Sequence, residues 1–554
     1  MDNKDIFTID NATYPPEATR NFIYDQEWAG RFVVAIVDPG VTIKEELPAY
    51  RSGVEADIFL RSGHSHQDQK EYYEGMVWPG PVHFVDFLCP RTDDYWFNLI
   101  ADFKKLLPFA GLWLDMSEPA CFSNGHRDMF PTPPSHDHYT LNYPSFAINN
   151  ADNQVELFSK TISMDARHVD GTRHLAVHNI YGFSESQRTA KALEKLEPGR
   201  RHFLLTRSTF PGSGRFTAHW LGDNYSDFAN MKMSISGVFD FQLFGIPMVG
   251  ADLCGFLDAS NEELCARWMA LGAFMPFARN HNAERPENIP QEPYRWTEVA
   301  KVTRKYYALR YSLLPYWYTL HYKSHKTGQP MIRPLFFEFP TFAELYDNDE
   351  QFMVGGALLV APVLKRGTTS VQFKLPPGVW YDLVETENAP VLVKEGLYPV
   401  HMAADLQTIP VLFRGGHVIL KQDPALTIRD TQLGDYHLMV ALTLEGKAWG
   451  HVYFDNGISS DPGNNYSLIE FAVNCDQQSC VLDVYGTFGY RVAKNVVSVT
   501  LLSTFNLHRE VSCAALNAQE ISVDAQTSQY KLHVKNLSMD LNQAQQLRIV
   551  FTPT

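Results

Sequence analysis

The chain has 554 residues, 45% of them hydrophobic and 13% aromatic, enough for several domains around large buried cores, and this excludes general disorder. Its formal charge of −16 argues against nucleic acid and against an anionic membrane surface, which both require clustered Lys and Arg, so a neutral ligand is the expected partner. No apolar run reaches bilayer-spanning length, the longest being residues 32–37 and the glycine-broken stretch 353–364.

The first ten residues hold no basic stretch followed by an apolar one, so no secretory signal is expected in this chain. Residues 32–37 predict a buried strand that ends in the loop signal Asp38-Pro39-Gly40. Residues 93–107 predict a helix, with Tyr95, Trp96, Leu99, Ile100, Phe103, Leu106 and Leu107 on one face, acids in its first turn and Pro108 as its stop. GLWLDMSEPACF follows at 111–122. It reads as a short strand delivering Asp115 to its carboxyl end, with Glu118 three residues on and Pro119 barring continuation. In parallel α/β folds that end of a strand floors the active site; the plainer alternative is an Asp that caps the next helix. Residues 122–173, rich in Pro, His and Asn, look like an excursion over the active-site face.

Ser184 to Gln187 has the spacing of a capping box opening a helix to Leu196, and residues 202–206 form the next expected strand with Arg207 at its end. Residues 226–244 predict a helix and 246–250 a strand, with Asp252 just beyond. A capped helix should open at 260–263, and residues 274–278 precede Arg279, Asn280 and His281. A long aromatic helix is expected over 297–323 and a last strand over 333–338. Strand and helix alternate, which argues for a parallel sheet, and a polar residue follows nearly every strand: Asp38, Asp115, Arg207, Asp252, His281. That regularity matches an α/β fold of the (β/α)₈ TIM-barrel type, incomplete at roughly six of eight strands. After about residue 350 the chain turns to short β-rich runs at 358–361, 379–382, 418–420 and 451–454. The expected domains are therefore a partial barrel over 1–350 with a loop insertion at about 122–173, a proximal C-terminal β-sandwich over 351–445 and a distal one over 446–554.

Metal and nucleotide schemes find no support. There is no CxxC, no HExxH and no phosphate-cradling glycine loop; His64/His66 and His136/His138 read as solvated loop histidines, and neither metal nor cofactor is expected. Carboxylates with aromatics remain. Asp223 lies in a Gly-Asp turn after Trp220, where it either faces Asp115 or caps a helix starting near Asp227. Glycoside hydrolysis needs two carboxyl groups, one ionised and one protonated, and Asp115 with Asp223 is the natural pair. Seven cysteines, with close pairs Cys254/Cys265 and Cys475/Cys480, and sequons at Asn11, Asn224, Asn465 and Asn536 point to an oxidising compartment. The odd count leaves at least one thiol unpaired.

WLDMSEP at 113–119, RSTFPGSGRFTAHWLGD at 207–223, GIPMVGADLCGF at 245–256 and FARNHN at 277–282 closely resemble glycoside hydrolase family 31, the α-glucosidases. The similarity runs from residue 1 to about 460. It implies a retaining α-glucosidase that removes terminal α-linked glucose from maltose-type oligosaccharides or α-glucans, with Asp115 as nucleophile, Asp223 as acid/base and Glu118 supporting the nucleophile loop. It further implies a glucose pocket walled by Ile36, Trp78, Trp113, Met116, Trp220 and Phe256, hydrogen bonds from Arg207, Asp252 and His281, a Cys254–Cys265 disulfide, and a secretory location that is extracellular, lysosomal or vacuolar. Ser117 stands where the family usually has Asn. Residues 1–3 align with the end of the second barrel strand, so the family's amino-terminal β-sandwich and first two strands are expected to be missing. An inactive truncated barrel that binds carbohydrate or acts as a scaffold, and an α-xylosidase or transglycosylase on the same site, are the alternatives. The Asn224 sequon, beside the acid, is expected to stay unused.

Overall fold

The computed structural model describes residues 2–63, 71–123, 125, 140–143, 157–507 and 509–552; His64, His66, His136 and His138 lie outside them. The chain divides into two compact units, Met1–His219 and Trp220–Thr554.

The first unit is built on parallel strands in the spatial order Val34–Val37, Gly111–Leu114, Phe203–Thr206 and Ala218–Trp220. Its apolar runs suit burial on both faces, as parallel sheets require. The register is decisive for function. Val37, Leu114 and Thr206 share one row, so the residues that follow them, Asp38, Asp115 and Arg207, are brought together at the carboxyl ends of neighbouring strands. The helices Thr92–Leu106 and Tyr181–Leu196 join through the Trp96 indole, which donates to the Thr189 hydroxyl at 2.9 Å, and Tyr95, Trp96, Ile100 and Phe103 enter the core as the spacing predicts. A three-stranded antiparallel sheet, ordered Gly40–Thr42, Gly80–Phe84, Glu74–Val77, carries Trp78 in its turn. The expected capping box is absent, because the helix starts at Tyr181 and the Ser184 hydroxyl, inside it, donates back to the Ile180 carbonyl at 2.8 Å.

In the second unit the helix Phe228–Leu243 is capped by Asp227 and Glu262–Gly272 by Asn261, each side chain accepting a backbone N–H of the first turn. The expected strand 274–278 does not form; pairing falls on Arg279–Asn280, which runs parallel to Asp252–Leu253. The expected helix 297–323 is two helices, Thr297–Ser312 and Leu314–Thr327, since Pro315 lacks the N–H that would continue the ladder and instead opens the second. The expected strand 333–338 is also corrected. Only Ile332–Arg333 is extended; it pairs antiparallel with Phe352–Val354, while Leu335–Glu338 coils after Pro334. It belongs to a six-stranded C-terminal sheet, and an eleven-stranded sheet follows that contains His417–Gln422, Tyr436–Ala441 and Lys447–Phe454 alike. Among the described residues no helix is long and apolar enough to cross a membrane.

Candidate active site

In the first unit, the geometry starts from one arginine. The Arg207 guanidinium forks onto Glu118, with Nε 2.8 Å from Oε1 and Nη2 3.2 Å from Oε2, and the same Nη2 is 3.1 Å from Asp115 Oδ1. No helix follows Asp115: the chain turns at Met116, whose φ of 60° is left-handed, and the Met116 N–H donates to Asp115 Oδ1 at 2.7 Å. The carboxylate is thus held by its own turn and by Arg207 rather than by a helix cap.

Two further carboxyls back this pair. Asp38, only 3% exposed, has its pKa pushed up to about 8, first by burial and then by the Asp115 charge, with Arg207 opposing. Glu185, fully buried on the helix Tyr181–Leu196, is pushed well above the carboxylate range by burial, against the Ser117 hydroxyl, with the Asp38, Glu118 and Asp115 charges adding to the rise. Burial would raise Glu118 too, but the Arg207 charge and hydrogen bonds hold it below its ordinary value. Of these acids, Asp115 and Glu118 share the positive charge, while burial favours the protonated form of Asp38 and Glu185.

The second unit builds its polar set differently. Asp252, 0% exposed, accepts from Arg279 Nε at 2.6 Å, and that guanidinium lies 5.0 Å above the ring of the buried Trp220. His281 stacks on Phe256 with ring centroids 5.2 Å apart, and burial, helped by the Arg279 charge, lowers its pKa to about 4, so it is a neutral hydrogen-bonding group. Asp223 is exposed in the turn after Trp220, and Asp227 itself caps the following helix. Asn224 beside it is fully engaged: its Nδ2 donates to the Asp252 carbonyl at 3.0 Å and its Oδ1 accepts from the Phe256 N–H at 2.9 Å. Gly255 permits this close loop, because its φ is +91° and a Cβ there would lie 2.6 Å from the Ser226 nitrogen.

Within the first unit the structure brings Asp115, Glu118, Arg207 and Met116 together, and pairs Ile36 with Trp113 across neighbouring strands. Trp78 stands apart on its hairpin turn, 52% exposed and edge-on to Phe122. Within the second unit Asp252 and Trp220 meet through Arg279, and His281 meets Phe256. Sequence reasoning omitted Asp38, Glu185 and Arg279 from the site. Asp38 and Arg279 carried the signal of a charged residue near a strand end; Glu185 carried none, being one acid among others on an amphipathic helix. Cys254 and Cys265 are disulfide-bonded, as are Cys475 and Cys480, leaving Cys89, Cys121 and Cys513 free.

Acidic side chains gathered at the carboxyl ends of parallel strands around one arginine define a carboxylate-based site of the kind carried by α/β-barrel hydrolases. Residues 1–320 match the glycosyl hydrolases family 31 TIM-barrel domain and residues 328–419 match the family's C-terminal domain; the chain belongs to glycosyl hydrolase family 31. A probable alpha-glucosidase of Oryza sativa subsp. japonica is 41% identical over 85% of this chain and 51% of its own length. Alpha-xylosidase 1 of Arabidopsis thaliana is 36% identical over 82% of this chain and 51% of its own length. The crystal structure of the glucosidase II alpha subunit bound to Glc1Man2 superposes with a TM-score of 0.83 at 27% identity, covering 100% of this chain and 57% of that one. The chain therefore spans between half and three fifths of the length of these relatives.

Proposed function

We propose that the chain carries the catalytic core of a retaining α-glucosidase acting on terminal α-linked glucose. The observation that supports it most directly is Asp115, an acid at a strand end ion-paired at 3.1 Å with Arg207, in a chain of family 31. In this reading Asp223 gives its proton to the glycosidic oxygen as the bond to the anomeric carbon breaks, and an Asp115 oxygen bonds to that carbon. Water then attacks the same carbon, Asp223 takes the water's proton, and Asp115 leaves as a carboxylate. Arg207 holds Asp115 anionic and oriented between turnovers, and Glu118 fixes Arg207 in its fork. Asp252 and neutral His281 supply hydrogen bonds to sugar hydroxyls, while Ile36, Trp78, Trp113, Met116, Trp220 and Phe256 offer apolar faces to the ring.

The test is proton NMR of a chromogenic α-glucoside during hydrolysis by the chain. The reading expects the α-anomer as first product and no turnover by Asp115→Ala; the β-anomer first, or equal rates for both proteins, would overturn it. The likeness to alpha-xylosidase 1 supports a second reading, removal of an α-xylosyl group by the same residues, and the ratio of rates on the α-glucoside and α-xyloside separates the two. The two disulfides support passage through an oxidising compartment.

A further inference from the structure

A line of three histidines, with His168 and His174 buried and His178 half-buried, is left unused by the mechanism above. Asp86, at the end of the strand Gly80–Phe84, has Oδ1 2.7 Å from His168 Nδ1, and its carboxylate also accepts the Leu88 and Val169 N–H groups at 2.9 and 2.7 Å. His168 Nε2 is 3.3 Å from His174 Nδ1, and His174 Nε2 is 2.8 Å from His178 Nδ1. The Glu118 charge acts on His178, opposing the effect of burial there. The approach is tight at this point: four residues after His178, a Cβ added to Gly182 would lie 2.7 Å from the Ser117 carbonyl oxygen and 2.5 Å from Ser208 Cβ, the neighbours of Glu118 and Arg207.

The hydrogen-bond directions follow from the anchor. Asp86 is held ionised: burial opposes this, but the His168 hydrogen bond and charge and two backbone N–H groups prevail. An ionised carboxylate only accepts, so His168 carries its proton on Nδ1. With neutral rings, His168 Nε2 must accept from His174 Nδ1–H, and His174 Nε2 from His178 Nδ1–H, which leaves a lone pair on His178 Nε2. A proton arriving there from solvent can be passed on. His178 gains it at Nε2 and loses its Nδ1 proton to His174, His174 loses its own to His168, and the charge comes to rest as an imidazolium beside Asp86. Each ring between gains one proton and loses one.

We propose that Asp86, His168, His174 and His178 form a positioning chain that takes up a proton in place of the Glu118–Arg207–Asp115 cluster, keeping that cluster anionic as the solution acidifies. This rests on the reading of Asp115 as nucleophile. The geometry suits it: burial, with the neighbouring imidazoles, drives the His174 pKa far down, and burial lowers His178 against the Glu118 charge, whereas a charge at the far end of the line lies 2.7 Å from the Asp86 carboxylate. The other titratable groups facing the chain are Tyr181, edge-on to His174 and donating to the Val85 carbonyl at 2.7 Å, and beyond it Glu185.

Two measurements test this on the whole chain. In the unmodified protein with 15N-labelled histidine, NMR at pH 7 should show His168, His174 and His178 as neutral Nδ1–H tautomers; an Nε2–H tautomer for His174 or His178 would overturn the chain without reference to activity. In His174→Gln, an amide can keep a hydrogen bond but cannot hand a proton on. The acid limb of kcat/KM should then move to higher pH by about one pH unit, a tenfold loss on that limb, with the plateau kept within about twofold. A purely structural role would lower the whole profile evenly and leave the limb in place, and that result would reject the proposal. Should the unmodified chain show no more turnover than Asp115→Ala, the α-glucosidase reading falls, and the tautomers still decide the histidine chain.

Discussion

Strand-end acids serve both units, yet the two treat charge in opposite ways. In the first, Asp38, Asp115, Glu118 and Glu185 cluster with one arginine, Arg207, and burial shifts Asp38 and Glu185 toward their protonated forms. In the second, fully buried Asp252 is matched by Arg279 over an aromatic ring. A surplus of acid makes a site whose charge depends on pH, whereas a matched pair fixes the direction of both side chains. The first arrangement suits chemistry and the second suits holding a ligand.

The largest expected effect lies in the acid-rich cluster. Asp115→Ala should lower kcat at least 10³-fold while thermal unfolding stays cooperative, since the variant removes one of the acids competing for Arg207. A loss confined to KM would mean that the first unit binds as the second does, and the contrast would fail. Breaking the matched pair should act on stability instead. Asp252→Ala removes the 2.6 Å ion-pair partner of Arg279, at a cost of about 3 kcal/mol, measured by urea unfolding. An unchanged midpoint would show that the pair contributes nothing to folding.

The surplus also predicts a pH dependence. Asp38 titrates near pH 8 when folded and near 3.9 when unfolded, so between these values the folded protein holds a proton that the unfolded chain has lost. Its stabilising share is complete below about pH 4 and is lost at about 1.4 kcal/mol per pH unit as the pH rises toward 8. Asp38→Asn should flatten that slope in unfolding experiments at pH 5 and 7.5. An equal slope in both proteins would show Asp38 to be ionised at neutral pH.

Much of this contrast was legible beforehand. The motif around Asp115 announced a strand end, and charged residues following apolar runs gave the parallel architecture and most of the polar set. What stayed hidden depended on three-dimensional environment. Glu185 reads as an ordinary helix acid until the packing of Tyr181–Leu196 removes it from water, and Ala218–Trp220 is too short, and too interrupted by His219, to announce a strand. The strand misread at 333–338 failed for the same reason in reverse: pairing covers only Ile332 and Arg333, and after Pro334 the residues Leu335–Glu338 form a short helix. The histidine line is invisible in the spacing of 168, 174 and 178, because its partner Asp86 lies 82 residues earlier, just beyond the strand Gly80–Phe84.

The smallest expected effect tests how firmly the second unit holds its geometry. Asn224 ties the loop bearing Asp223 to the loop bearing Asp252 and Phe256 by two side-chain hydrogen bonds, one donated and one accepted. Asn224→Ala loses both, and at about 1 kcal/mol each the expected destabilisation is about 1–2 kcal/mol. Activity should fall by more than stability implies, because Asp223 is exposed and is oriented by this loop rather than by burial. With Asp223 as the proposed acid, a loss of about tenfold in kcat with KM nearly unchanged is expected, since misplacing it would slow proton donation without removing the proposed sugar contacts. If KM rises instead, the loop serves the sugar contacts around Asp252, and the second unit is a binding element even at its acid.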